Sequence, residues 1–396
     1  MIDKLDYKRC TICQVCINIC PKNCITLDSF KDGFNYPVID KNICIDCKAC
    51  EKTCPVLNPL NSRESLKQCY AGMNTNEEER VKSSSGGVFS TLAKYIMNNN
   101  GVVCGAAFDK EFQVNHILIE NENELIKLRG SKYIQSNTKD VFNKVKKQLT
   151  TGKTVLFSGC PCQVGGLKKY LGKEYENLYT IDFICHGIPS QNIFNKYLEI
   201  LEKKYKSKVV QFFFRDKSKG WHTSSIKAKF ENGKEYTKFI TDDMYMRGYF
   251  GNIYLKSACY NCEFRNFKSE SDITLGDFWG AEVEEKEIDD NKGLCAVVVN
   301  TSKGVILKNN INDSNIFKAV DYNKILKYNK ALEISFKYST KRNDFLKLVR
   351  TEDYNNIFKK LCKEKNTHKF VRVMRYKLGK IKQFILKIES RRIDRI

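Results

Sequence analysis

Eight cysteines near the N-terminus form two runs with the same spacing. Residues 10–21 read CTICQVCINICP and residues 44–55 read CIDCKACEKTCP, so both follow the pattern C-x2-C-x2-C-x3-C-P. Each cysteine of the first run has a counterpart 34 residues later. Three thiolates on a tight loop can reach three irons of one cubane, while the fourth thiolate reaches a second cubane. The runs therefore predict two 4Fe-4S clusters and one-electron chemistry.

The repeat also predicts which cysteines share a cluster. The first quartet is Cys10, Cys13, Cys16 and Cys54, and the second quartet is Cys44, Cys47, Cys50 and Cys20. The same spacing occurs in bacterial two-cluster ferredoxins. Structural zinc sites are the alternative, but they use C-x2-C pairs and usually histidine, and residues 1–65 contain no histidine. Cys24 fits neither quartet, and we interpret it as a small buried hydrophobic residue.

Further cysteines lie in loops of the remaining chain. Cys160 and Cys162 in FSGCPCQVGGL (157–167) and Cys185 in DFICHGIPS (182–190) each follow a predicted strand, where α/β proteins gather their sites. Cys259 and Cys262 in SACYNCEF (257–264) form a C-x2-C pair without a second pair nearby. This pair could complete a four-thiolate set with two of the others. We interpret the remaining cysteines as structural: Cys69, Cys104, Cys295 and Cys362.

Two loops have the composition of a ligand site. SSSGGVFSTLAKYI (83–96) places three serines and two glycines before an amphipathic helix, and free backbone N–H groups at such a start suit a phosphate. The alternative is an ordinary serine-capped helix with a glycine turn. RGSKYIQS (129–136) places Lys132 beside small residues, where it could meet a phosphate or a flavin ring.

The rest of the chain must supply the elements that position these loops. From residue 70 onward, short apolar runs alternate with helical stretches, which favours an α/β or α+β fold with a mixed sheet. The polar stretch VLNPLNSRESLKQ after Pro55 predicts a linker that ends near residue 67. The strands are predicted at 101–108, 113–119, 154–158, 178–184, 209–214, 225–230, 272–278 and 295–300.

Composition limits the cellular setting. Eighteen cysteines in 396 residues favour metal or redox chemistry in a reducing compartment, and the N-terminus does not resemble a signal peptide, so we expect the cytoplasm. The net charge of +22 indicates either an anionic partner or a solvated, lysine-rich surface. No nucleic-acid-binding module is recognisable, so we expect no nucleic-acid partner.

Seven stretches, in this order, resemble the beta subunit family of coenzyme F420 hydrogenases and dehydrogenases. They are SSSGGVFSTLA, RGSKYIQS, FSGCPCQVGGL, DFICHGIPS, FRDKSKGW, CYNCEF and SDITLGDFWG, and with the cysteine runs they span roughly residues 8–300. The resemblance predicts a dicluster ferredoxin domain (1–65), an N-terminal-like region of the family (68–150), a C-terminal-like region with flavin and a third cluster (151–330), and a helical tail (331–396).

The resemblance implies a flavoprotein in which loops like 83–89 and 129–136 hold part of FAD. The implied cofactor-binding residues are Ser85, Gly86, Gly87, Ser131, Lys132 and Asp277. It also implies a third 4Fe-4S cluster beside the flavin, with the ligands Cys162, Cys185, Cys259 and Cys262. Relatives commonly carry another residue where this chain has Cys160, so Cys160 is left out and the choice between it and Cys162 stays open.

The implied activity is an oxidoreductase that moves electrons between a donor or acceptor protein such as ferredoxin, the clusters and FAD, and thereby reduces or oxidises a small molecule. The catalytic residues are unknown, with His186 and Asp277 as the nearest candidates for an acid. Related bacterial chains are often associated with polysaccharide assembly, which suggests a sugar or nucleotide-sugar substrate, and use of coenzyme F420 itself stays open. The alternative is an electron-transfer subunit without a substrate of its own.

The C-terminal tail is basic and amphipathic. Residues 366–396 carry ten Lys or Arg against two acidic residues, and apolar residues recur every three or four positions from Val371 to Ile388. This pattern predicts a helix that packs on protein or, as an alternative, lies on an anionic membrane surface.

Overall fold

The computed structural model describes residues 2–30, 32–60, 64–351 and 354–363. The predicted basic helix at 366–396 lies outside the described residues. Among those that are described, no helix has the length and apolar character needed to cross a membrane.

The N-terminal region is a small ferredoxin-like unit built from two short helices and one hairpin. Its elements are α1 (Val15–Ile19), β1 (Ile25–Ser29), β2 (Asn35–Ile39) and α2 (Ala49–Lys52). β1 and β2 pair antiparallel, with Thr26 opposite Val38. Each helix starts within one cysteine run and ends before the fourth cysteine, so about one helical turn separates the third cysteine of a run from the fourth.

The body contains eleven described strands. They are β3 (Gln68–Asn74), β4 (Val102–Phe108), β5 (Val114–Ile119), β6 (Val155–Ser158), β7 (Leu178–Phe183), β8 (Val209–Asp216), β9 (Ser225–Phe230), β10 (Glu235–Phe239), β11 (Ile273–Asp277), β12 (Cys295–Val299) and β13 (Asn315–Ala319). Eight form one mixed sheet in the order β13-β3-β12-β11-β7-β6-β4-β5. The central strands β4, β6, β7 and β11 are parallel, so their carboxyl ends lie at one edge.

The helices of the body are α3 (Glu77–Lys82), α4 (Val88–Asn98), α5 (Leu125–Leu128), α6 (Val141–Thr150), α7 (Pro161–Leu171), α8 (Gln191–Tyr205), α9 (Met244–Phe250), α10 (Ala281–Glu284), α11 (Ser302–Asn309), α12 (Tyr322–Tyr328), α13 (Arg342–Arg350) and α14 (Tyr354–Asn356). Helices such as α4 and α11 share an apolar cluster with the mixed sheet. A second, antiparallel sheet has the order β10-β9-β8, and its apolar residues cluster with Val114 of β5. β12 is buried along its whole length, as expected for a strand covered on both faces.

The ferredoxin-like unit packs directly on the body. Thr138 donates a hydrogen bond from its hydroxyl to the carbonyl oxygen of Cys13 at 2.8 Å and from its backbone N–H to Gln14 Oε1 at 3.0 Å. A glycine of α7 permits the close approach, because a Cβ at Gly166 would lie 3.2 Å from the sulfur of Cys13. Because Cys13 belongs to the first quartet, this contact places that quartet against the helix that follows β6.

The fold confirms the expected mixed α/β architecture with an N-terminal ferredoxin-like region. The eight predicted strands coincide with β4–β9, β11 and β12 within two residues at each end. Pattern reasoning did not find the hairpin of β1 and β2, nor β3, β10 and β13. β3 begins at Gln68, directly after the predicted linker, and is held between two antiparallel neighbours that come from residues 295–319.

Candidate functional site

The two cysteine runs adopt the same tight loop. Ile12 and Gln14 in the first run have φ angles of 54° and 62°, and their counterparts Asp46 and Lys48 in the second have 48° and 59°. Left-handed backbone at non-glycine positions is uncommon and is maintained only where surrounding structure requires it. The sequence repeat is therefore also a repeat of backbone conformation that turns successive cysteines toward one centre.

The first quartet is mostly buried and its thiols influence one another. Burial raises the pKa of Cys10 to about 11, and the neighbouring thiolate of Cys54 adds to the increase. Burial also raises the pKa of Cys13 to about 12, with further increases from Cys54 and Cys10. Burial likewise raises the pKa of Cys16, and the other three members of the quartet add to the increase. The fold thus brings Cys54, from the second run, to the three cysteines of the first run.

The second quartet lines one cavity of about 350 Å³. Its four members are Cys20, Cys44, Cys47 and Cys50. Cys24 also lines this cavity, and its sulfur lies 3.4 Å from the sulfur of Cys20. Cys24 is buried as expected, but it contacts a predicted ligand instead of serving only as core filler.

A larger cavity of about 620 Å³ lies at the carboxyl edge of the parallel strands. Four of its lining residues are Cys162, Cys185, Cys259 and Cys262. Cys162 lies in the first turn of α7, Cys185 follows β7, and the C-x2-C pair lies on and after a 3-10 turn at Ser257–Asn261. Three distant stretches of the chain thus contribute thiols to one space.

Cys160 occupies a different position from Cys162. It is the N-cap residue of α7, is 8% exposed and does not line the cavity. A hydrogen bond from Cys160 and the positive charge of Lys256 together outweigh the opposing effect of burial and lower the pKa of Cys162 to about 6. A hydrogen bond from Cys160 also lowers the pKa of Cys185. Cys160 is therefore placed as a partner of two cavity thiols.

Two buried cations flank this cavity, and sequence reasoning missed both. Lys256 and Arg265 line it and are 1% and 9% exposed. Arg265 donates from its guanidinium to the carbonyl oxygens of Cys185 and Ala331. Their positions in the sequence could have indicated them, because Lys256 lies three residues before Cys259 and Arg265 lies three residues after Cys262. Positive charge here favours the thiolate form that binds a metal.

The ferredoxin-like unit reaches the wall of the same cavity. Thr11, which lies between the first two cysteines of the first run, is one of the lining residues. Phe264 also lines the cavity, and it belongs to one apolar cluster with Cys16 and Cys54, against which Cys162 packs. The first quartet and the cavity quartet therefore share a wall.

The two serine-containing loops meet. Ser131 donates from its backbone N–H to Ser84 Oγ at 2.8 Å, and the two hydroxyls lie 3.0 Å apart. Ser84 was not among the predicted residues, although it is the middle member of the three-serine run. The hydroxyl of Ser85 donates to the carbonyl oxygen of Leu294 at 2.8 Å. The loops at 83–89 and 129–136 thus form one surface region.

The other candidates in these loops have specific backbone roles. The ammonium of Lys132 donates to three carbonyl oxygens at the end of α5, and burial lowers its pKa to about 7. A Cβ at Gly86 would lie 2.4 Å from the carbonyl oxygen of Gly72, so the chain passes too closely there for a side chain. Gly87, with φ of 87°, is the N-cap residue of α4 and provides no side-chain cap to that helix.

The candidate acids are both engaged by neighbours. Asp277 accepts hydrogen bonds from Arg215 at 2.7 Å and from the indole N–H of Trp221 at 2.9 Å. His186 stacks on Phe336 with ring centroids 4.0 Å apart, and burial lowers its pKa to about 4. A neutral, stacked imidazole and a carboxylate paired with a buried guanidinium are typical of structural roles.

Three family models match the chain. Residues 9–58 match the 4Fe-4S dicluster domain, and residues 69–143 and 152–325 match the N-terminal and C-terminal domains of the coenzyme F420 hydrogenase/dehydrogenase beta subunit. The resemblance inferred from the seven motifs is confirmed. Binding of 4Fe-4S clusters by the N-terminal region is supported by both the matched domain and the cysteine runs.

Individual relatives cover parts of the chain. A subunit of the F(420)H(2) dehydrogenase from Methanosarcina mazei is 22% identical over 172 residues, which are 40% of this chain and 47% of that protein. Ferredoxin 7Fe from Hydrogenibacillus schlegelii is 44% identical over 41 residues, which are 10% of this chain and 46% of that protein. The chain thus spans about half the length of these curated relatives. In the xenon-derivatised F420-reducing NiFe hydrogenase complex from Methanosarcina barkeri, one chain aligns at 16% identity and a TM-score of 0.47 over 73% of this chain and 92% of that one.

Proposed function

Because the chain belongs to the coenzyme F420 hydrogenase/dehydrogenase beta subunit family, we propose that it is an iron–sulfur oxidoreductase with three 4Fe-4S clusters and FAD. One observation carries this proposal: a single cavity gathers thiols from the first turn of α7, the loop after β7 and the C-x2-C pair. Four thiols with two buried cations suit an anionic cubane held by thiolates. The proposed ligands of this third cluster are Cys162, Cys185, Cys259 and Cys262.

The proposed order of electron transfer follows from exposure and contact. The second quartet is nearest to solvent, because Cys47 is exposed and its neighbours Ile43 and Ile45 are 49% and 57% exposed. We propose that a carrier protein such as ferredoxin docks there, in the cytoplasm, as donor or acceptor. The first quartet lies between, since Thr11 and Phe264 connect it to the third-cluster cavity. Electrons would pass between the second, first and third clusters in this order or in the reverse order.

We further propose that FAD binds next to the third cluster at the joined loops 83–89 and 129–136. The contact of Ser131 with Ser84 supports this placement, because it brings together the two stretches that the family resemblance implicates. Lys132 would act by fixing the second loop through its three carbonyl contacts. When bound, the flavin would convert one-electron transfer into two-electron chemistry on a small-molecule substrate.

A second candidate function is an electron-transfer subunit that supplies a partner enzyme and has no substrate of its own. The name of one relative favours it, since that protein is a subunit of a dehydrogenase. Reduction of artificial electron acceptors by the purified chain with bound flavin would support the first candidate. A flavin-free chain that only exchanges electrons with a protein carrier would support the second.

The decisive experiment is a cofactor count on anaerobically purified protein. Iron, sulfide and released flavin are measured per chain after reconstitution. We expect about 12 irons and one FAD, because three cubanes contain four irons each. About 8 irons without flavin would refute the third cluster and the flavin, and would leave a two-cluster ferredoxin fused to a binding domain.

A further inference from the structure

Lys256 is a buried ammonium at the border between the ferredoxin-like unit and the body. It is 1% exposed. Its Nζ donates to the backbone carbonyl oxygen of Thr11, in the first cysteine run, and to Gln135 Oε1 of the body at 2.6 Å. Both acceptors are neutral. A buried ammonium with neutral acceptors is unfavourable unless negative charge lies nearby, because it loses its hydration.

The surrounding thiols supply that negative charge. Lys256 lines the same cavity as Cys162 and Cys259, and it donates to Thr11, the residue that follows Cys10. Burial lowers the pKa of Lys256, but the thiolates of Cys162, Cys259 and Cys10 outweigh burial and leave the pKa above its ordinary value. These thiolates come from both sides of the border: Cys10 belongs to the first quartet, and Cys162 and Cys259 belong to the proposed third quartet. The same ammonium is therefore close to ligands of two clusters.

We propose that Lys256 is a positioning residue for electron transfer, whose fixed positive charge stabilises the reduced states of both the first and the third cluster. This inference rests on the third cluster of the proposed function. Each one-electron reduction adds one negative charge to a cubane, so a nearby cation favours the reduced state and raises the reduction potential. In transfer between these two clusters, one cluster would lose the electron that the other gains, and Lys256 would keep its proton.

The test is a potentiometric titration, followed by electron paramagnetic resonance, of the full anaerobic chain. Lys256→Gln and Lys256→Met remove the charge, and Lys256→Arg keeps it. At a fixed potential, we expect the ratio of reduced to oxidised first and third clusters to fall about tenfold in the Gln and Met variants, or about 59 mV for a one-electron couple. The Arg variant should stay near wild type.

Two controls separate charge from general damage. The second cluster is an internal control, because Lys256 contacts the first-quartet loop and not the second quartet. Lys303→Gln removes a part-buried lysine that donates to the carbonyl oxygens of Tyr175 and Leu178, at the opposite end of β7 from Cys185. The reduction potential of the second cluster should stay unchanged in the Lys256 variants. The reduction potentials of all clusters should stay unchanged in Lys303→Gln.

Unchanged potentials for the first and third clusters in the charge-removing variants would overturn the inference, as would an equal shift of all three clusters. If a variant loses the third cluster, the reduction potential of the first cluster in the same sample is compared with wild type and decides by the same criterion. Failure of the proposed function has a different signature. Wild-type protein with about 8 irons refutes the third cluster, whereas about 12 irons with unmoved potentials refutes only the role of Lys256.

Discussion

Replacing the two neighbouring cysteines of α7 one at a time should separate a cluster ligand from its neighbour. Cys162 lines the third-cluster cavity, whereas Cys160, two residues earlier, is 8% exposed and lies outside its lining. We expect Cys162→Ala to lose the third cluster because one of four thiolates is removed. We expect Cys160→Ala to retain it, since Cys160 does not line the cavity and acts on Cys162 and Cys185 as a hydrogen-bond partner.

The expected magnitude is a whole cluster. Iron should fall from about 12 to about 8 per chain in Cys162→Ala and stay near 12 in Cys160→Ala, since each cubane holds four irons. The assay is iron and sulfide analysis of anaerobically reconstituted protein, with electron paramagnetic resonance spectra of the reduced state to count distinct clusters. Far-ultraviolet circular dichroism on the same samples controls for folding.

Two results would refute this reasoning. Loss of four irons in Cys160→Ala but not in Cys162→Ala would mean that the ligand set contains Cys160. If wild type itself holds about 8 irons and neither substitution lowers that number, the cavity does not hold a cluster.

Three other perturbations test the packing around the site. Asp243→Ala should lower the free energy of unfolding by about 4 kcal/mol in urea, because Asp243 accepts from two buried tyrosine hydroxyls at 2.6 and 2.7 Å and caps α9. Burial lowers the pKa of His116 to about 4, so the unfolded chain binds a proton near pH 6.5 that the folded chain does not bind until about pH 4. The free energy of unfolding of wild type should therefore fall by about 3 kcal/mol as the pH decreases through this window. His116→Gln should remove most of this decrease. Gly165→Ala should cost about 1–3 kcal/mol, since the new Cβ would lie 2.5 Å from the ring of Phe264, whereas Gly105→Ala meets only ordinary contacts.

Each of these has a contrary outcome. A cost below about 1 kcal/mol for Asp243→Ala would mean that the tyrosine hydroxyls find other partners. Parallel pH profiles for wild type and His116→Gln would show that this imidazole does not titrate differently in the folded and unfolded states. Equal costs at the two glycines would show that Phe264 moves aside freely.

Much of this protein could be predicted from local sequence. The two cysteine runs predict both N-terminal quartets because ligand spacing along a tight loop is a short-range property, and the repeat at Ile12 and Asp46 reappears as repeated backbone conformation. The mixed sheet was also predictable, since buried strands such as β6 and β12 read as short apolar runs. β3 and β13 were missed because their sequences, QCYAGMN and NIFKA, are not continuous apolar runs. Pairing with distant strands makes them part of the sheet. The ligand assignments stay predictions until iron is counted.

Other features were decided only by tertiary structure. The spacing C-x-C at Cys160 and Cys162 does not say which thiol faces the cavity, because that depends on where α7 begins. Lys132 looks like a phosphate ligand in sequence, yet the fold directs its ammonium to three carbonyl oxygens. Lys256 becomes notable only once its amine meets Thr11, 245 residues away in sequence. Charge and hydrogen bonding act through space, so a residue's chemistry follows from its neighbours in the fold, and most of those neighbours are distant in the chain.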